Sequence, residues 1–223
     1  MRNPSIFWYK RVVASIHALL EDASRKEAAK SVADVELQTS AEIVIAVRKA
    51  CDAYWYANLG WGTVGAFVAL LLLLFLPHEF SLYVFPLDAA AAFAGLAWLS
   101  SKVPSMRRVF TRTLDRQARV RLAAKAAFVD MGVTRTSGRT GVLVFVGAFE
   151  GGAEVVADIG VPVAALGAPW RDAIAGMQRA VRGHGDPDAF FAAVRSLGPA
   201  LATVLPRAAD DVNELPDAMA VSE

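Results

Sequence analysis

One cysteine and three histidines are all the chain has of the soft metal ligands and imidazole bases. A lone Cys51 excludes an internal disulfide and any thiolate metal cluster. It reads as a small residue beside an apolar run. His17, His78 and His184 are far apart in sequence, which leaves a histidine phosphatase or a catalytic triad without its parts. The P-loop pattern, H-E-x-x-H and the dinucleotide glycine fingerprint are absent as well. With a formal net charge of +1 there is no global basic field of the kind nucleic acid requires. The first 30 residues mix polar and charged side chains, so no secretory signal is expected there.

The most informative absence is local. No lysine or arginine stands between Ala50 and Ser101. Within that gap "YANLGWGTVGAFVALLLLLFL", Tyr56 to Leu76, lacks any charge, and about 20 such residues cross the hydrocarbon of a bilayer. A second apolar run, Leu82 to Ser100, follows the short connection "PHEFS" and carries Pro86 and Asp88. Asp88 is either an interfacial carboxylate or an acid facing the partner helix. Small residues at Gly62, Ala66, Ala91 and Gly95 would let two helices approach closely. Arg48 and Lys49 precede the gap, while Lys102, Arg107, Arg108, Arg112 and Arg116 follow it. By the positive-inside tendency both termini are cytoplasmic and the connection is outside. The expectation is a multi-pass protein of a bacterial inner membrane with two spans. Its composition agrees: 55% of residues are hydrophobic and the mean hydropathy is +0.39.

On either side of this insertion the pattern is that of an α/β domain. "SRKE" at Ser24–Glu27 is a capping box. It predicts a helix of about 14 residues with Ala28, Val32, Val35 and Leu37 toward a core. "AEIVIAVRK" alternates and is rich in β-branched residues, as strands are. After the gap, Ser105 to Asp130 reads as one long amphipathic helix. Its expected core stripe is Phe110, Leu114, Ala118, Leu122, Ala126 and Val129, and its arginines either meet anionic lipid head groups or form a solvated face. Gly132 is placed to end it. "GVLVFVGAF" and "AEVVADIG" read as strands joined by a turn at Gly151 and Gly152. Helices are expected near 170–182, opened by Pro169 and Trp170, and from Pro187 to about Pro206, capped by Asp186. The division is 1–53 and 102–208 for one cytoplasmic domain, 54–101 for a transmembrane hairpin, and 209–223 for an acidic, extended tail.

Read in order, "TSAEIVIAV", "AAFVDMGVTRTSGRTGVLVFV", "EVVADIGV", "PWRDAI" and "NELPD" resemble the bacterial TPM domain family over most of residues 24–217. The resemblance implies a small Rossmann-like α/β sheet packed with helices, often anchored in a membrane. In plants, members attached to thylakoids are linked to repair of photosystem II. An acid phosphatase activity has been proposed there, and some members bind calcium. Plant-type members place the domain before a membrane helix, whereas here the hairpin interrupts it.

Chemistry then falls to carboxylates and a polar loop at strand ends. Glu42 begins the first strand and Asp158 ends the last; converging, they would offer hard oxygen ligands to a divalent cation such as calcium. Alternatively, Asp158 receives backbone N–H groups before Gly160 and Glu42 faces solvent. In the loop Thr134–Thr140, Thr136 and Arg139 are phosphate-binding candidates. The competing reading pairs Arg139 with Asp158 to fasten the loop. Trp170 reads as a core residue. Two functions are expected to compete. One is a non-catalytic, membrane-tethered module for binding or quality control of membrane proteins; the other is a metal-assisted phosphatase. The bilayer, other membrane proteins or a second copy are the expected partners, with no nucleic acid.

Overall fold

The computed structural model describes residues 22–76, 83, 85–182, 186–208, 213–215 and 219–222. The connection "PHEFS", the three histidines and most of the acidic tail lie outside the described residues. The chain divides into two compact units, one of residues 1–51 and 117–223, the other of Asp52–Arg116.

The first unit is built on a sheet that in the described residues has four strands: β1 (Ile43–Arg48), β2 (Val142–Gly147), β3 (Gly152–Ala157) and β4 (Ala220–Ser222). Their order is β3-β2-β1-β4. β1 runs parallel to β2, with Ile43 opposite Val142 and Val47 opposite Val146. β2 and β3 form an antiparallel hairpin, turned through Gly151 at φ +63°. β4 pairs in parallel with β1, Ala46 opposite Ala220. The sheet is therefore mixed, and the two strands at its centre come from opposite sides of the intervening unit. All six residues of β2 are buried, the expectation for a strand covered on both faces.

Pleating sends alternate residues to opposite sides. Ile43, Ile45, Val47, Val142, Val144 and Val146 enter one core. The helices covering that core are α1 (Asp22–Glu36), α6 (Val163–Arg182), α7 (Pro187–Arg195) and α8 (Leu197–Ala202). Val44, Ala46, Leu143 and Phe145 face the other way, against Val120, Ala124 and Ala127 of α5 (Thr113–Asp130). Burial of a Val, Leu or Ile side chain contributes about 1.5–3 kcal/mol, so β1 and β2 anchor both layers. Asp186 caps α7 by accepting from the Ala189 N–H at 3.1 Å, with Pro187 at the first helical position. Gly132 closes α5 at φ +68°, its N–H donating to the Val129 carbonyl.

Several elements depart from the sequence reading. α1 begins at Asp22 rather than after the capping box, and Leu37, expected inside, is 66% exposed. The single helix expected over 105–130 is two, α4 (Pro104–Val109) and α5, parted at Phe110–Arg112. The expected core stripe of α5 is the wrong face. Leu114, Leu122 and Val129 are exposed, and the buried positions are Val120, Ala123, Ala124, Ala127 and Phe128. Two stripes of similar bulk compete on this helix, and the one whose alanines allow α5 to approach the sheet closely is buried. α6 starts earlier than expected and is kinked at Gly167, φ +64°, ahead of Pro169. The helix expected to run to Pro206 is broken into α7 and α8. Within the tail expected to be extended, Ala220–Ser222 is an edge strand.

The second unit contains α2 (Trp55–Phe75) and α3 (Phe85–Lys102), packed on each other, then α4. Among the described residues one helix, α2, is long and apolar enough to cross a bilayer. α3 falls short: it is rich in alanine, carries Asp88 in its first turn and ends in Lys102. The close approach runs through Gly62, where a Cβ would meet the Phe93 ring at 2.8 Å, and Gly65, where it would meet the Ala92 carbonyl oxygen at 2.8 Å. Gly95 faces open space instead of the partner helix, and Ala91 is exposed. Asn58 supplies a polar anchor that the sequence reading missed. Its Oδ1 accepts from Ser100 Oγ at 2.9 Å and from Arg107 Nε at 3.1 Å.

Candidate functional site

The four candidate residues gather at one end of the sheet, where β1 and β2 begin and β3 ends. The loop Thr136–Thr140 enters β2 there. Thr136 is buried and its Oγ1 accepts from the Thr140 N–H at 3.0 Å. Its carbonyl accepts from the Arg139 N–H at 3.0 Å. These bonds hold Arg139 in the left-handed region, φ +54°, a conformation rare for a residue with a side chain. The strain is offset by what the turn achieves. Arg139 Nε reaches Asp158 Oδ2 at 2.7 Å and its NH2 nitrogen reaches Oδ1 at 2.9 Å. Oδ1 also accepts from the Ile159 N–H at 2.7 Å. Three of roughly four lone-pair directions on the carboxylate are thus occupied.

The Asp158 side chain is 2% exposed and that of Arg139 48%. Burial pushes the Asp158 carboxyl up, but the Arg139 hydrogen bonds, the Ile159 N–H and the Arg139 charge outweigh it, and the net shift is downward. The Arg139 guanidinium moves up, chiefly through the same hydrogen bonds. Behind the pair, the Gly160 N–H donates to the Arg139 carbonyl at 2.9 Å. A Cβ on Gly160 would stand 2.3 Å from the Gly138 carbonyl oxygen. The turn before Gly160 and the loop before β2 are thus pressed together, backbone on backbone.

Glu42 belongs to the same end but not to this pair. It is 5% exposed, contrary to a solvent-facing reading. Its Oε2 accepts from the Leu215 N–H at 3.4 Å. Its carbonyl accepts from the Val142 N–H, while the Asp158 N–H donates to the Gly141 carbonyl. Glu42 and Asp158 therefore flank the β2 chain, two strand spacings or about 10 Å apart in backbone. Among the described residues, no three His, Cys, Asp or Glu side chains gather as a metal site would require.

A third participant was legible only as part of "NELPD". Glu214 accepts from the Ser137 N–H at 2.7 Å and from Ser137 Oγ at 2.5 Å. Those bonds hold its carboxyl below the usual range. Asn213 Nδ2 reaches Glu36 Oε2 at 3.5 Å, and Glu36 Oε1 accepts from the Ile43 N–H at 3.1 Å. Residues 213–215 thus stitch the end of α1, the start of β1 and the loop before β2.

Ligands of open α/β sheets collect outside the carboxyl ends of the parallel strands, and this cluster lies at the amino ends. At the opposite end, Cys51 and Glu150 approach Gly147. The Cys51 N–H donates to Glu150 Oε1 at 2.8 Å, and Glu150 is 8% exposed. That junction was invisible to sequence reasoning because its two parts flank the inserted unit. A separate cavity of about 100 Å³ opens at the outer edge of β3, lined by Arg121, Glu154, Gln178 and Arg182 among others. Gln178 Nε2 donates there to the Ala153 carbonyl at 3.3 Å, covering part of the open strand edge. Trp170 is buried in the larger core, as its sequence context suggested.

No protein-family model matches the chain, and no curated protein does. Among solved structures it is similar to the NMR structure of BA42 protein from the psychrophilic bacteria Bizionia argentinensis sp. nov.. The two share 15% identity with a TM-score of 0.54, over 91% of this chain and 94% of the other. At that identity the likeness is one of fold.

Proposed function

We propose that the chain is a membrane-tethered, TPM-like module that binds other membrane proteins and serves their maintenance or quality control without catalysis of its own. The observation that carries this reading is the closed state of the candidate site. Asp158 is engaged by Arg139 and Ile159, Thr136 by its own loop, and Glu214 by Ser137. Such groups order a surface; a nucleophile, base or cation site needs polar atoms left over for the substrate. Support for the tether is α2, whose most apolar stretch is 6% buried. Within this reading α2 and α3 form a two-span hairpin in a bacterial inner membrane, and both termini and the α/β unit are cytoplasmic. The basic residues on both sides of the lysine- and arginine-free gap support that orientation.

The alternative, a phosphatase assisted by a divalent cation, rests on the family resemblance. It would require Asp158 to release Arg139 and draw toward Glu42. The experiment that separates the two is an assay of purified full-length protein against phosphate esters with added calcium, magnesium or manganese, comparing wild type with Asp158→Asn. Turnover lost in the variant would overturn the binding reading. Absence of turnover, together with specific membrane proteins captured by crosslinking in native membranes, is the expected result. A reporter fused after Glu223 tests the orientation, with a cytoplasmic signal expected.

A further inference from the structure

The face of α5 that the sequence reading assigned to the core is turned outward. From Gln117 onward, Ala118, Leu122, Ala126 and Val129 recur at helical spacing on one face. All four are exposed, Leu122 at 65% and Val129 at 64%. The opposite face, Val120, Ala123, Ala124, Ala127 and Phe128, is the buried one. Arg121 and Lys125 border the outward stripe on one side and Arg119 on the other, all three exposed. Glu154 of β3 lies within electrostatic reach of Arg121 and Lys125 and offsets part of their charge; the helix's own acids are Asp115, exposed two turns before Leu122 on the same face, and Asp130 at the helix end.

We propose that this outward face of α5 lies in the head-group layer of a bilayer containing anionic lipid. An apolar stripe bordered by basic residues is what an interfacial helix presents, its aliphatic side chains below the phosphates and its cations among them. Charge complementarity selects this occupant over a second copy, since two such faces would bring like charges together. Covalent reach agrees. α5 begins at Thr113, after Lys102 ends α3, so its first residue lies within ~40 Å of chain from the membrane-associated helices. Such a tether raises the effective concentration of lipid, so a short stripe suffices. The inference rests on the reading of α2 as a membrane anchor.

The test uses the full chain with Cys51→Ser and a single introduced cysteine carrying an environment-sensitive fluorophore, reconstituted into vesicles that contain a lipid-borne quencher. Leu70→Cys reports the anchor, Leu122→Cys the proposed face, and Arg171→Cys an exposed position elsewhere on the α/β unit. The vesicles are phosphatidylcholine alone or phosphatidylcholine mixed with phosphatidylglycerol. The expected result is strong quenching at position 70 in both, and quenching at 122 several-fold above that at 171 in the anionic vesicles. Changing Arg119, Arg121 and Lys125 to Gln should abolish the excess at 122 and leave 70 unchanged. Quenching at 70 with 122 no different from 171 would overturn the inference while the anchor stands. No quenching at 70 would remove the anchor and the inference together. Crosslinking of Leu122→Cys to a second copy, with shielding that persists in detergent, would assign the face to self-association and overturn the inference as well.

Discussion

Arg139 grips both carboxylate oxygens of Asp158, at 2.7 and 2.9 Å, across a junction where the acid is buried and the base half exposed. That asymmetry makes the two truncations unequal. Arg139→Ala strands a desolvated carboxylate and is expected to be the more destabilising change, whereas Asp158→Ala leaves a guanidinium that still reaches water and costs less. The double variant should be less destabilised than the sum of the two. Chemical denaturation of all four proteins checks the cycle; additive effects would show that the pair contributes nothing of its own.

The same pair sets an acid limit. The Asp158 carboxyl is shifted down on folding. Between its folded value and the ordinary unfolded value of about 3.9, the unfolded chain therefore binds more protons. Its contribution to stability is complete above about pH 5, a unit above the unfolded value, and is lost as pH falls further. Denaturation midpoints followed below pH 5 should drop steeply in wild type. In Asp158→Asn the drop should be shallower, because the titrating group is gone.

Gly160 is constrained by space, not by its backbone angles. A Cβ there meets two carbonyl oxygens of the neighbouring loop, at 2.3 and 2.6 Å, and neither can rotate away as a side-chain end would. Gly160→Ala should cost about 1–3 kcal/mol or more. Thermal unfolding is the measurement, and an unchanged Tm would mean that the loop yields freely.

β4 is short, but it covers the second half of one edge of β1, Ala46 to Arg48. Removing residues 220–223 takes away the pairings of Ala46, Val47 and Arg48 and the bond from the Lys49 N–H to the Ser222 carbonyl. The truncated protein is expected to be less stable by about 1–3 kcal/mol, at roughly 1 kcal/mol per lost hydrogen bond, and to self-associate through the bared edge. Light scattering beside thermal unfolding checks both effects; a monodisperse truncation of unchanged Tm would contradict the role.

In the second unit, Asn58→Ala removes one acceptor shared by Ser100 and Arg107. A loss of about 1–2 kcal/mol is expected, seen as a lower unfolding midpoint in detergent. Asn58→Asp, which keeps the acceptor, should be milder.

The strands were readable because runs rich in β-branched residues leave little choice, and in β2 Gly141 and Gly147 mark the ends of the run. Ile43–Val47 and Val142–Val146 fall where their composition placed them and pair as a single sheet. The face of α5 was not readable. Leu114, Leu122 and Val129 on one face compete with Val120 and Phe128 on the other, and the face that also carries Ala123, Ala124 and Ala127 meets the sheet; nothing local encodes how near that sheet comes. Ala220–Ser222 escaped notice because three residues carry no period. Of the site, Arg139 and Asp158 were recognisable as alternatives, and geometry decided between them. Glu42 defied its sequence context because residues 213–215, distant in the chain, cover it.

The placement of β1 has a consequence for how the protein is made. Ile43 finds its partner at Val142 and Ala46 at Ala220. During translation both edges of an apolar strand therefore wait for neighbours, one of them until residues 220–222 have left the ribosome. Such distant closures are entropically costly and slow. An unpaired apolar strand is meanwhile a template for aggregation. Nascent chains should therefore depend on a holding chaperone, and one stalled before residue 142 should remain protease-sensitive at β1.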